Sequence, residues 1–98
     1  MKKFILLYCG LDVTPDARER WGAWFGENGS RLIDGGGPLG PGRLVTGDSA
    51  SDVDASGIDS APFIGYSIIS ADSLDEAERI AATAPASAGV RVYEALPM

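Results

Sequence analysis

A chain of 98 residues suits one domain with one core, since a chain of this size buries only roughly 60 to 68% of the surface its unfolded form exposes. Apolar residues make up 45% and charged residues 22%, an ordinary globular balance that speaks against both a disordered chain and a membrane span. The 14 acidic and 8 basic side chains leave a net charge of -6, which repels phosphate backbones and anionic lipid and argues against nucleic-acid or membrane partners.

Met1-Lys2-Lys3 followed by Phe4 to Cys9 imitates the charged and apolar regions of an export signal. The apolar run is shorter than the usual roughly seven to fifteen residues, and bulky Tyr8 stands where a cleavage site needs a small residue. The lone Cys9 has no disulfide partner, and without histidine it anchors no structural zinc site. The expectation is a protein of the reducing cytoplasm, with no metal and no cofactor.

Phe4-Ile5-Leu6-Leu7-Tyr8-Cys9, ended by Gly10, is the pattern of a strand covered on both faces. Thr14-Pro15-Asp16 supplies an N-cap, a proline at the first helical position and an acid in the first turn. Ala17, Trp21, Trp24 and Phe25 follow at helical spacing, and Asn28-Gly29 offers a left-handed stop, which predicts a helix over 15–28.

Arg31 to Asp34 reads as a brief second strand running into Gly35-Gly36-Gly37-Pro38-Leu39-Gly40-Pro41-Gly42, where regular structure is not expected. Arg43 to Thr46 suits a third strand, and the Ser-, Asp- and Ala-rich stretch from Gly47 to Ala61 an exposed loop or weak hairpin. Pro62 to Ala71 is the strongest strand signal: Ile64, Tyr66 and Ile68 share one face, Phe63 and Ile69 the other. Ser73-Leu74-Asp75-Glu76 is a capping box for a helix over 74–84 with an apolar stripe ended by Pro85. Gly89 to Leu96 closes the chain as a strand.

With the short middle strands treated as a hairpin, the order becomes βαββαβ, the α+β sandwich of ferredoxin-like domains, in one domain over 1–98. Two helices cover one sheet face, yet the first strand and the Pro62–Ala71 strand are apolar on both. A second copy of the sheet is the economical cover, so a homodimer is expected.

Several constellations bear on chemistry. Asp34 opens the glycine run; desolvated in a cavity it would serve as a general base, while the plain alternative is that it hydrogen-bonds the following turn. Gly35, Gly37 and Gly40 match G-x-G-x-x-G, but Pro38 and Pro41 interrupt it and no helix follows to meet a pyrophosphate. Asp52-Val53-Asp54-Ala55-Ser56-Gly57 copies half of a calcium loop, whose twelfth position is Phe63 instead of a glutamate. Trp21, Trp24 and Phe25 suit either a pocket for an aromatic ligand or a buried stripe. The bare amides of Gly35, Gly36 and Gly37 allow a ligand to approach closely, and Tyr8 and Tyr66 carry hydroxyls that need partners if buried, a ligand being one such partner. With no histidine, Ser-His and Cys-His nucleophiles are excluded and Cys9 is an inert strand residue.

Phe4-Ile5-Leu6-Leu7-Tyr8, Leu32-Ile33-Asp34-Gly35-Gly36-Gly37-Pro38-Leu39, and Gly65-Tyr66-Ser67-Ile68-Ile69 leading to Ala71-Asp72-Ser73-Leu74-Asp75-Glu76-Ala77 together resemble the YCII-related family and its DGPF branch. The likeness spans almost the whole chain and implies a ferredoxin-like domain that pairs into a dimeric α+β barrel. The branch's Asp-Gly-Pro-Phe stands here as Ser60-Ala61-Pro62-Phe63, and Trp21 and Trp24 occupy the helix where the family's enzymes place the histidine of a His-Asp pair. The resemblance thus implies fold and pairing but not that chemistry. Three readings stay open: a dimeric module binding a small apolar or aromatic molecule through Tyr8, Trp21, Trp24, Gly35, Gly36, Gly37 and Tyr66; a lyase or isomerase using Asp34; and a structural or accessory dimer.

Overall fold

The computed structural model describes residues 1–10, 14–53 and 63–97. In chain order these form β1 (Lys2–Cys9), α1 (Pro15–Glu27), a 3-10 turn (Gly29–Arg31), β2 (Leu32–Pro38), β3 (Gly42–Thr46), β4 (Ser49–Val53), β5 (Phe63–Ala71), α2 (Leu74–Ala82) and β6 (Gly89–Ala95). Strands β2-β5-β1-β6 make an antiparallel four-stranded sheet in that order. With two helices on one face, the arrangement is α+β and compatible with a ferredoxin-like fold. The two most apolar strands, β1 and β5, take the interior positions, where both edges of each find backbone partners.

Local chemistry starts both helices. Thr14 Oγ1 accepts from the Ala17 amide at 3.1 Å with Pro15 in the first turn, and Ser73 Oγ accepts from the Glu76 amide at 3.1 Å. The expected left-handed stop at Asn28-Gly29 does not form. Asn28 instead donates from both its backbone N–H and its side-chain Nδ2 to the Trp24 carbonyl, and the chain tightens into the 3-10 turn. Helix α2 ends at Ala82, just short of the expected Ala84, where the Thr83 hydroxyl donates to the Ile80 carbonyl at 2.8 Å.

Strand alternation separates the two faces of the sheet. Phe4, Leu6, Tyr8, Ile69 and Ala71 point to the helices and are buried with Trp24, Ala77, Ile80 and Ala81. Ile5 and Leu7 belong to the opposite face, where Ile5 stands across from Ile68 and Tyr93, and Leu7 from Tyr66. These positions are half-buried, and Tyr93 is exposed.

The glycine-rich segment corrects an expectation. Regular structure continues from Leu32 through Gly35, Gly36 and Gly37 to Pro38, because β5 supplies a ladder and two irregularities, between Leu32 and Asp34 and between Asp34 and Gly37, absorb the mismatch. Pro38 is tolerated because β2 is an edge strand and Pro38 is its last residue. Strands β3 and β4 form a separate hairpin around Gly47-Asp48, with Gly47 at φ 58, and Leu44 and Val45 exposed on it. The part of the calcium-loop motif beyond Val53, and Ser60-Ala61-Pro62, lie outside the described residues.

Candidate ligand cleft

The middle and last turns of α1 carry Trp21 and Phe25, four residues apart on one helix face. Their rings stack at 5.8 Å between centroids and 28° between planes, and together they form an aromatic wall. Tyr8, near the end of β1, meets Trp21 edge-on at 4.8 Å. Across from these rings runs β2, whose Gly36 adopts φ 72 and donates its amide to Asp34 Oδ1 at 2.8 Å. Ser67 on β5 is fully buried and donates its hydroxyl to the Gly35 carbonyl at 2.8 Å, which pins the glycine strand to the sheet.

Between these walls lies a cleft of about 510 Å³ lined by Tyr8, Trp21, Phe25, Gly35, Gly36, Gly37, Pro38, Ile64, Gly65 and Tyr66. Its size falls within the roughly 300 to 1,000 Å³ of small-molecule sites. A Cβ added at Gly35 or Gly37 would meet nothing within 4 Å, so the missing side chains leave open space there. Apart from the two tyrosines, none of the described lining residues is ionisable.

Tyr8 is only 3% exposed, and its Oη has no hydrogen-bond partner among the described residues. Burial pushes the phenol above its ordinary pKa of 10.0, and the neighbouring Ser67 hydroxyl offsets this only in part. That neighbour commits its proton to Gly35 and does not meet Oη in bonding geometry. Tyr8 is therefore a neutral phenol at physiological pH, with a donor that the protein leaves unused.

Six of the residues singled out from the sequence, Tyr8, Trp21, Gly35, Gly36, Gly37 and Tyr66, thus surround one space. Trp24 does not join them. It is 3% exposed in the core, and its Nε1 donates to Thr83 Oγ1 at 2.9 Å, so the ring ties α1 to the end of α2. Asp34 is exposed, is absent from the lining, and spends an oxygen on the Gly36 amide, the turn-forming role weighed against catalysis. The described residues supply no carboxylate base inside the cleft.

The ligand set chosen from sequence leaves out Phe25, although the same reading weighs it with Trp21 and Trp24 as a pocket residue, and it misses Pro38, Ile64 and Gly65. Gly65 pairs with Tyr8 and leaves only 3.0 Å between a hypothetical Cβ and the Gly37 carbonyl oxygen. That approach depends on the fold, and no local pattern marks it. Among the described residues no group of three or more Cys, Asp or Glu is placed to hold a metal ion, and no helix is long and apolar enough to cross a membrane. No protein-family model matches the chain, and no curated protein matches it.

Proposed function

We propose that this chain is a YCII-related, ferredoxin-like domain that pairs into a dimeric α+β barrel in the cytoplasm and binds a small apolar or aromatic molecule in the cleft between α1 and the glycine strand. The observation that carries the binding reading is the cleft itself, a stacked Trp21–Phe25 wall facing side-chain-free backbone at Gly35 and Gly37. Bare peptide opposite aromatic rings leaves a slot that a ring fills by dispersion and by releasing water from apolar surface. Pairing is supported by the helix-free sheet face, where Ile5, Leu7 and Ile68 are left half-buried. The single buried Cys9 suits a reducing compartment.

The test is an NMR titration of the full chain with 2-ethylnaphthalene. The Trp21 indole N–H and the amides of Gly35 and Gly37 should shift together and saturably, and Trp21→Ala should weaken the response about tenfold or more, as loss of a stacking partner in a buried site does. Shifts scattered over the surface, or none, would remove the cleft from the case.

A further inference from the structure

The same cleft carries information about the chemistry of its occupant, and the inference rests on the binding reading above. We infer that the ligand is an uncharged flat ring system bearing a hydrogen-bond acceptor, a carbonyl or ring oxygen, that takes the proton of Tyr8 Oη.

Three independent features converge. The shape requirement comes from the walls: the stacked Trp21 and Phe25 rings lie within 28° of parallel on one side, and the facing strand is bare at Gly35 and Gly37, so we read the space between as a slot. The charge requirement comes from the lining, which among the described residues contains neither a Lys or Arg to neutralise an anion nor an Asp or Glu to neutralise a cation. Placing a carboxylate in such a slot would strip its hydration without return, a cost no stacking contact recovers.

The polar requirement comes from Tyr8. A buried hydroxyl without a partner is expensive to keep, and a phenylalanine would fill the same place without that cost. Ser67 has already given its proton to Gly35, so Tyr8 keeps a buried side-chain donor that no described residue uses. Its ring forms part of the cavity wall while Oη is covered, so the inferred contact requires the occupant to draw Oη to the cleft surface. Raised above 10.0 by burial, the phenol keeps its proton and acts as donor, which selects an acceptor on the ligand.

The experiment compares three probes on one ring: 2-acetylnaphthalene, 2-ethylnaphthalene and 2-naphthoate, titrated into the native chain and into Tyr8→Phe with the Trp21 indole N–H as reporter. The ketone should bind about tenfold more tightly than the hydrocarbon, the net worth of one well-made hydrogen bond. Tyr8→Phe should erase that ratio while leaving hydrocarbon affinity within about twofold, and the naphthoate should bind more weakly than either. Equal affinity for ketone and hydrocarbon in the native chain, or a ratio that survives in Tyr8→Phe, would overturn the inference and leave the cleft reading standing. A naphthoate that binds best would overturn the charge argument. Silence from all three probes would end both readings together.

Discussion

Gly36 lies so close to the backbone of Tyr66 that a Cβ on it would run into the Tyr66 carbonyl oxygen. Its φ of 72 is also a conformation that costs an L-residue about 1–2 kcal/mol. Gly36→Ala must therefore carry both the dihedral cost and a displacement of β2 from β5, and should lose at least about 2 kcal/mol in urea unfolding. Gly35→Ala is the control, since a Cβ there meets nothing within 4 Å. It should stay within about 0.5–1 kcal/mol of the native chain. Equal losses at the two positions would contradict the asymmetry.

The Trp24–Thr83 bond joins α1 to the end of α2, and its loss should be costly mainly through the indole. Thr83→Val leaves a buried N–H unpaired, a penalty of about 1–3 kcal/mol. Thr83 also donates to the Ile80 carbonyl, so the variant removes two bonds and a single measurement does not apportion them. A double-mutant cycle with Trp24→Phe does: Thr83→Val should cost about 1 kcal/mol less when the indole is already gone. Additive losses would show that the bond contributes nothing of its own.

The elements legible in the sequence were those whose cause is local. Thr14-Pro15 and the Ser73–Glu76 capping box announce both helices because a cap satisfies its own amides within one turn. Strand β5 is legible because Ile64, Tyr66 and Ile68 alternate with Phe63 and Ile69. What failed was long-range in origin. Gly35 to Pro38 carries every mark of a turn, and becomes strand only because β5, some thirty residues onward, offers a ladder. Trp24 and Phe25 are adjacent in sequence and alike in character, yet one enters the core and the other the cleft. Trp24 meets Thr83, a partner that helical periodicity does not reveal. Asp34 shows the reverse case: its residue type and the glycine that follows two positions on fully account for its hydrogen bond to Gly36.

Tyr8 makes a prediction about pH. The folded-state pKa is raised above 10.0, so between that value and the folded value the native state holds a proton that the unfolded chain releases. Stability attributable to this group is present below pH 10 and is lost as pH rises through the folded pKa. Tyr8→Phe removes the titration and also the unpaired hydroxyl, so it should be nearly neutral or slightly stabilising near pH 7. Above pH 10 it should lose stability less steeply than the native chain. The measurement is urea unfolding of both proteins from pH 7 to 11; parallel profiles throughout would show that the phenol is not held neutral by burial.

The proposed pairing is tested on the face opposite the helices. Ile68 sits in the middle of β5 across from Ile5, and on its other side from Asp34 of β2. A lysine placed there faces away from the core formed by Phe4, Leu6 and Ile69, and its charge is compatible with the neighbouring carboxylate, so the monomer fold has little reason to suffer. A sheet-on-sheet dimer would bury that ammonium between two apolar layers, which is prohibitive without a partner charge. Ile68→Lys should therefore halve the mass seen by sedimentation equilibrium while leaving the far-ultraviolet circular dichroism unchanged. A stable interface buries about 800 Å² on each partner, so the native chain should hold its dimer mass through low micromolar concentration. A native chain that sediments as a monomer across the whole range would leave Ile5, Leu7 and Ile68 as ordinary exposed surface and remove the barrel from the proposal.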